Sequence, residues 1–331
     1  MHLCQKISCI LVGPALLFCA CSGRSSSLNN SGAVAALPDK KVEVVEFNGD
    51  SAYARVADQV AMGPRVPGSE ANARLGRYII DRLKNYGADT VIVQRTVGQV
   101  AGKTTPVVNI LGRYGADRRK KVLLLAHYDT RPVADEDPDE SKRNRPIDGA
   151  NDGGSGTGVL LEIARTIGLQ MPDSIGVDIL FVDAEDSGDS GDDDSWCVGV
   201  KEWVKQMPYP IAFKPRYGIL LDMVGGRDAV FHREYFSDRE ARHVTDKIWS
   251  RAAVSGYSSR FPNETGIPVV DDHLPLIQSG IPTVDIIENR NPVTGAFNPT
   301  WHTQADNLSN IDPATLKVVG QVVLNTLYNE K

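Results

Sequence analysis

Apolar and polar positions recur along the chain with two periods, one typical of strands and one typical of helices. Short continuous apolar runs predict strands that are buried on both faces, and apolar residues three and four positions apart predict amphipathic helices. The predicted strands are 90–97, 107–111, 120–126, 179–182, 218–224 and 283–287, and the predicted helices are 51–62, 70–86, the segment after 158, 196–204, 238–254 and the segment from 313 onward. Strands that alternate with helices predict an α/β protein whose sheet carries helices on both faces.

The composition is that of an ordinary globular protein, and no internal repeat is visible. Of the 331 residues, 41% are hydrophobic and 24% are charged. The formal net charge is −6, which leaves no basic surface of the kind that nucleic-acid-binding proteins carry. We therefore exclude nucleic acid as a partner.

The N-terminal segment has the pattern of a bacterial lipoprotein signal peptide. An apolar run at 7–20 ends in a small residue before Cys21. The run is shorter than the roughly 20 residues that a membrane-spanning helix needs. We predict that residues 1–20 are removed and that Cys21 carries a lipid, so that the protein is anchored in the cell envelope and faces the periplasm. A plain secretory signal is the alternative.

The remainder of the chain divides into a tether and a folded part. Residues 21–40 are rich in small and polar residues and predict a flexible tether. Residues 41–331 have a length that suits one large catalytic domain, which we expect to be a monomer. Once the signal peptide is removed and Cys21 is lipidated, Cys197 stands alone, so no disulfide framework is available. A single cysteine in an apolar setting is typical of a packed, unreactive thiol.

Acids and a histidine follow three of the predicted buried strands. A carboxylate beside a buried strand is costly unless it is paired or bound to a cation. In open α/β sheets, ligands bind outside the carboxyl ends of the strands, so these side chains are expected to meet in one site. The residues at the three strand ends are His127 and Asp129, Glu185 and Asp186, and Asp222.

Two further candidates lie on loops, where a rigid scaffold often presents chemistry. Asp152 stands in the glycine-rich segment 148–158, where a helix N-cap is the alternative role, and His302 lies in a polar loop. Carboxylates and histidine are suitable ligands for Zn²⁺ or a similar divalent ion. The chain has no Gly-x-Ser-x-Gly or His-Glu-x-x-His segment, and no Gly-Lys-Ser/Thr follows its glycines, which disfavours a serine hydrolase and excludes a P-loop.

Several motifs together resemble, in order and spacing, the zinc-dependent M28 aminopeptidase-like family. They are His127-Tyr128-Asp129, Gly149-Ala150-Asn151-Asp152, Glu185-Asp186, Leu221-Asp222 and Trp301-His302-Thr303. Within that family the chain is most similar to the glutaminyl-peptide cyclotransferases (glutaminyl cyclases) of the animal type and their bacterial relatives. The features that carry this similarity are the segment 65–69, Trp196, Asp271-Asp272-His273, and Phe297 before Trp301. The resemblance implies a single-domain three-layer αβα sandwich around a mixed, mostly parallel, twisted sheet.

The resemblance also implies an activity and a role for each residue. The implied enzyme is an acyltransferase with one zinc ion per chain, which converts the N-terminal Gln of peptides or proteins to pyroglutamate and releases ammonia. The implied zinc ligands are Asp152, Asp186 and His302; the implied catalytic residues are Glu185, as general acid and base, with Asp222 and Asp271 hydrogen-bonded around it; and the implied substrate-binding residues are Trp196, Phe297 and Trp301.

Two other functions remain open on the sequence. In a dinuclear aminopeptidase, His127 and Asp222 would help to bind a second metal ion, and Glu185 would activate a bridging water. This alternative uses every candidate ligand, but it does not explain the aromatic residues Phe297 and Trp301. The other is a non-catalytic, metal-stabilised envelope protein that binds peptides. At position 186 the chain carries Asp, whereas the vertebrate cyclases carry Glu. The Asp side chain is shorter, so a small shift of the backbone is needed to bring its carboxylate to the metal ion.

Overall fold

A sheet of six strands forms the middle layer of the fold. The computed structural model describes residues 44–331. The predicted signal peptide 1–20, the predicted lipidation site Cys21 and the predicted tether 21–40 lie outside the described residues. The strands are β1 Thr90–Val100, β2 Lys103–Tyr114, β3 Lys121–His127, β4 Gly176–Val182, β5 Tyr217–Leu221 and β6 Thr283–Ile286.

The sheet is mixed and mostly parallel, as predicted. Its strand order is β1-β2-β4-β3-β5-β6. The pairs β3/β4, β3/β5 and β5/β6 are parallel, and the pairs β1/β2 and β2/β4 are antiparallel. The carboxyl ends of the four parallel strands therefore lie at the same edge of the sheet.

Helices cover both faces of this sheet. They are α1 Gly49–Val60, α2 Glu70–Asn85, α3 Gly154–Leu169, α4 Val198–Lys205, α5 Tyr235–Glu240, α6 Arg242–Val254, α7 His273–Gln278 and α8 Pro313–Tyr328. One face packs against α1, α2, α3, α6 and α8, and the other packs against α4 and α7. Within residues 44–331, no helix is long and apolar enough to cross a membrane.

Strand β3 shows why its apolar run is continuous. Val122 and Leu124 belong to the larger core, under α1 and α3, whereas Leu123 and Leu125 belong to the smaller core, under α4 and α7. Successive side chains of a strand point to opposite faces, so a central strand needs apolar residues at every position. The predicted α/β class with three layers is thus confirmed.

Three predicted elements differ from the observed ones because single residues leave the regular backbone geometry. The predicted helix 238–254 is divided between α5 and α6, since Ala241 has φ −124° and ψ 29°. Helix α4 begins at Val198 rather than at residue 196, since Cys197 has a left-handed φ of 58°. Strand β5 ends at Leu221, and Met223 beyond it has φ 46°. None of these three residues is Gly or Pro, so the sequence carries no signal for the breaks.

Candidate active site

The candidate site lies at the carboxyl edge of the parallel strands. His127 ends β3 and pairs in register with Val182 of β4, while Leu125 pairs with Leu220 of β5. The three strand ends therefore lie side by side, and the acids that follow β4 and β5 come next to His127. Asp152 joins them from the loop before α3, where Gly153 rather than Asp152 occupies the helix N-cap position.

Asp152, Asp186 and His302 form one candidate metal site. His302 Nε2 lies 3.1 Å from Asp186 Oδ1 and 3.6 Å from Asp152 Oδ2. All three side chains are buried, and Asp186 Oδ2 has no hydrogen-bond partner among the described residues. Two buried carboxylates that face each other with an unpartnered oxygen require a positive charge between them. The donor set fits a divalent ion such as zinc.

The charges of these three side chains also favour a bound cation. Burial and the charge of Asp152 raise the pKa of Asp186 to about 6. Burial disfavours the charged form of His302, but Asp186 and Asp135 outweigh it and raise the pKa of His302 to about 9. Without a metal ion, the group therefore holds a proton on His302 at neutral pH. A metal ion would replace that proton, since both neutralise the same carboxylates.

A second group of possible ligands shares Asp152 with the first. His127 Nε2 lies 3.1 Å from Asp152 Oδ1 and 3.1 Å from Asp222 Oδ1. All three side chains are buried. The ligand set that the sequence suggested for a second metal ion is thus brought together, with Asp152 between the two groups.

Two buried carboxylates outside these groups hold the backbone of the site. Asp129 accepts hydrogen bonds from the backbone N–H groups of Glu185 (3.1 Å) and Asp186 (3.2 Å). Asp306 does the same for the backbone N–H groups of Asn151 (2.7 Å) and Asp152 (3.1 Å). Asp129 was visible in the sequence as a strand-end acid, but Asp306 was missed, because it lies in a polar loop with no periodic pattern.

Glu185 lies beside Cys197 and Asp271 and lines the same cavity as the ligand set. The Cys197 thiol donates to Glu185 Oε1 at 3.5 Å, and an oxygen of Asp271 lies within 4.8 Å of both groups. Burial raises the pKa of Glu185 well above its usual value, and the nearby charge of Asp271 adds to the effect. Burial likewise raises the pKa of Asp271 well above its usual value. Burial and mutual repulsion therefore oppose the ionisation of both carboxyl groups.

The implied hydrogen bonds of Asp222 and Asp271 to Glu185 do not occur among the described residues. Asp222 is bonded to His127 instead, and Asp271 Oδ2 has no hydrogen-bond partner. Both side chains nevertheless line the same cavity as Glu185. Asp271 therefore acts on Glu185 through its charge.

Aromatic rings enclose the open side of the site. The Trp301 ring stacks on His302 with 3.7 Å between ring centres, and Phe297 lies 4.8 Å from Trp301. Trp196 is stacked at 6.1 Å from His302 on another side. These three rings line a cavity of about 280 Å³ together with both acids of the β4 end. The three aromatic residues that the sequence singled out are thus brought together next to the candidate metal site.

Strained backbone is concentrated at this edge of the sheet. Ala184, Cys197, Met223 and His302 all have φ between 46° and 58°, a region that residues other than Gly rarely adopt. Met223 and His302 line the cavity themselves. Ala184 and Cys197 are adjacent in sequence to residues that line it. Such strain persists only where the surrounding structure holds it, and it is typical of functional sites.

Comparisons with known proteins agree with this geometry. The family model described as "Peptidase family M28" matches residues 109–327. A glutaminyl-peptide cyclotransferase from Gloydius blomhoffii is 23% identical over 294 residues, which cover 78% of this chain and 75% of the relative. The crystal structure of Bacteroides thetaiotaomicron glutaminyl cyclase bound to N-acetylhistamine has 43% identity and a TM-score of 0.84, with 87% of this chain and 100% of that chain covered.

The crystal structure of Tannerella forsythia glutaminyl cyclase is comparably similar. It has 46% identity and a TM-score of 0.82, and the match covers 87% of this chain and 100% of that chain. At this identity and coverage, the shared fold extends over nearly the whole described part of the chain. The chain therefore belongs to peptidase family M28 and, within that family, to the glutaminyl cyclases.

Proposed function

We propose that this protein is a zinc-dependent glutaminyl-peptide cyclotransferase, which converts the N-terminal Gln of peptides or proteins to pyroglutamate and releases ammonia. The observation that carries the proposal is a small cavity, walled by Trp196, Phe297 and Trp301, that opens onto both the candidate metal site and Glu185. A cavity of about 280 Å³ suits one side chain rather than an extended peptide. The similarity to two solved bacterial glutaminyl cyclases supports the same activity.

Asp152, Asp186 and His302 would hold the zinc ion. Two carboxylates and a neutral imidazole would leave the site nearly neutral, with a coordination position free on the side of the cavity. The bound ion would polarise the γ-carbonyl of the substrate Gln and stabilise the charge that develops on its oxygen. The reaction is intramolecular and needs no activated water, so one metal ion is sufficient.

Glu185 would act as the proton carrier. In the reaction, a bond forms between the α-amine nitrogen and the γ-carbonyl carbon of Gln, and the bond from that carbon to the amide nitrogen breaks. Glu185 accepts a proton from the attacking amine and donates it to the departing nitrogen, which leaves as ammonia. Its carboxyl lines the cavity and does not belong to the proposed ligand set, so it is free to move this proton.

The other cavity residues would position the substrate and tune Glu185. Cyclisation requires the Gln side chain to fold back towards its own amine, and flat aromatic walls favour such a compact conformation. Asp222 and Asp271 line the same cavity as Glu185, and the charge of Asp271 opposes the ionisation of Glu185. The three acids are expected to share protons as one coupled group.

A dinuclear aminopeptidase is the second candidate, because His127, Asp152 and Asp222 also meet the distances of a metal site. The test is to incubate the folded domain with a Gln-initiated peptide and an otherwise identical Ala-initiated peptide, and to follow both by mass spectrometry. A cyclase removes ammonia from the first peptide and leaves the second unchanged. Release of free Ala or Gln would instead establish the aminopeptidase.

We expect one tightly held zinc ion per chain at full activity. Chelation should abolish turnover and leave most of the fold intact, because the ligands lie at the edge of the sheet rather than in its core. Metal analysis of the purified protein, with circular dichroism before and after chelation, checks both statements. Two zinc equivalents at full activity would contradict the single-metal proposal.

We also propose that the protein is a monomeric lipoprotein of the cell envelope that faces the periplasm. The support is the apolar run before Cys21 in the sequence. Cys21→Ser should yield a poorly processed precursor that is absent from the membrane fraction, as cell fractionation and N-terminal mass analysis can test. A mutant that stays with the membrane and has the wild-type N-terminus would exclude the lipid anchor.

A further inference from the structure

We propose that Arg131 is a positioning residue that couples the zinc site to the aromatic wall of the substrate cavity. This inference rests on the proposed function, because it assigns a role towards the zinc ligands Asp186 and His302. Arg131 lies in the polar segment between β3 and α3. Its side chain is buried, with 4% of its surface exposed.

The guanidinium group of Arg131 holds both the backbone and the charge of the zinc ligand Asp186. Its Nη1 donates to the backbone carbonyl oxygens of Asp186 (3.4 Å) and Gly188 (3.2 Å), and it lies 3.6 Å from Asp186 Oδ1. Arg131 therefore fixes the backbone at Asp186 and places a positive charge beside its carboxylate.

The same guanidinium group reaches the second ligand through Asp135. Arg131 Nε and Nη2 donate to the two oxygens of Asp135 at 2.7 and 2.6 Å, which is a bidentate pair. Asp135 Oδ1 lies 3.4 Å from Nδ1 of His302. A carboxylate at Nδ1 favours the tautomer that leaves Nε2 free as a metal ligand. Arg131 thus keeps Asp135 in place to orient His302.

The flat face of the guanidinium group supports the cavity wall. The central carbon of Arg131 lies 4.7 Å from the ring centre of Trp196. The Trp196 ring also packs directly against Gly188. A Cβ added at Gly188 would lie 2.3 Å from an atom of this ring, so only Gly leaves room for Trp196 here. Gly188 is also the residue whose carbonyl oxygen Arg131 binds. One side chain therefore fixes a zinc ligand, its partner ligand and one aromatic wall.

Lysine would reproduce only part of this arrangement. It carries the same charge but lacks the planar fork that binds a carboxylate with two bonds and stacks on a ring. Arg131→Lys should therefore keep the charge near Asp186 while it loses the support of Trp196. This difference separates the two roles experimentally.

The test measures zinc affinity and peptide kinetics in matched variants. We expect Arg131→Gln to weaken zinc binding about 10- to 100-fold, which is the usual effect of mutating a residue that supports the metal ligands. We also expect it to raise KM for a Gln-initiated peptide on the order of tenfold, because the contact with Trp196 is lost. Arg131→Lys should lose less zinc affinity than Arg131→Gln, because it keeps the charge beside Asp186 but not the two bonds to Asp135, and it should show the raised KM. Zinc affinity is measured by competition with a chromophoric chelator, and KM is measured with zinc in excess.

Arg113 offers a matched control at the other end of β4. Its Nε lies 3.6 Å from the buried Asp178, and its guanidinium carbon lies 4.9 Å from the ring centre of Tyr209. Arg113→Gln removes a comparable buried ion pair and ring contact far from the cavity. It should lower thermal stability and leave both zinc affinity and KM unchanged.

The outcomes distinguish this inference from the proposed function. If wild-type protein binds zinc and cyclises the peptide, but Arg131→Gln has wild-type zinc affinity and KM, the inference is wrong while the function stands. If the wild type neither binds zinc nor cyclises the peptide, both fail together. Should Arg131→Gln not fold, Asp135→Asn replaces it, because Asp135 is 31% exposed. That variant should weaken zinc binding, and unchanged affinity would overturn the role of the Arg131–Asp135 pair.

Discussion

Replacement of Glu185 by Gln should lower kcat by about 10²- to 10⁴-fold, the usual contribution of a general acid and base, and leave the zinc content unchanged. Gln keeps the size of the side chain and most of its packing, but it cannot accept the proton of the attacking amine. Glu185 does not belong to the ligand group Asp152, Asp186 and His302. We therefore expect the affinity for zinc and for the peptide to stay close to wild type.

The measurement combines steady-state kinetics on a Gln-initiated peptide with metal analysis of the same preparation. Glu162→Gln is a suitable control, since Glu162 is also a buried glutamate but pairs with Arg165 on α3. That change should cost stability and leave kcat in the wild-type range. A Glu185→Gln variant that retains wild-type kcat would remove Glu185 from the chemistry.

The central sheet could be predicted because its signal is local. The apolar runs of β3, β4 and β5 are continuous, and each is followed within a few residues by an acid or a histidine. Parallel strands bring such residues to one edge whatever the details of packing. The sequence therefore located the candidate site without any contact information.

The residues that support the site could not be predicted, because their contacts join distant segments. Arg131 and Asp306 lie in loops without periodicity, and each acts on a residue far away in sequence. Cys197 was interpreted as a packed, unreactive thiol, and it is indeed buried, but it also donates to Glu185. The resemblance implied a hydrogen bond from Asp222 towards Glu185, and the structure shows a contact of Asp222 with His127, since β3 and β5 are neighbours in the sheet.

Asp186 is the proposed zinc ligand whose substitution should have the largest effect. Asp186→Asn should abolish zinc binding and turnover together, and the loss of affinity should exceed the roughly 10- to 100-fold that residues outside the ligand set contribute. The carboxylate charge is removed from a buried site where an oxygen already lacks a partner, and neutral amides are poor zinc ligands. Arg131 then loses one of its two charged partners but keeps Asp135.

Asp186→Asn should not destabilise the metal-free protein, so its loss of zinc binding could not be attributed to unfolding. Burial and the charge of Asp152 raise the pKa of Asp186 to about 6, so its ionised form is disfavoured in the metal-free protein. A raised pKa in the folded state means that the charge costs stability at neutral pH, and Asn removes that cost. The melting temperature of metal-free Asp186→Asn should therefore equal or exceed that of the metal-free wild type.

Asp178→Asn is the matched control for Asp186→Asn, because Asp178 is a buried acid within β4, beside Arg113, whereas Asp186 lies beyond the end of β4, beside Arg131. Burial also raises the pKa of Asp178, so the two substitutions should affect folding in the same direction. Only Asp186→Asn should change zinc binding, as measured by chelator competition on both proteins. If Asp186→Asn kept zinc and turnover while Glu185→Gln lost the metal, the roles of the two adjacent acids would have to be exchanged, since both line the cavity but only Asp186 belongs to the proposed ligand group.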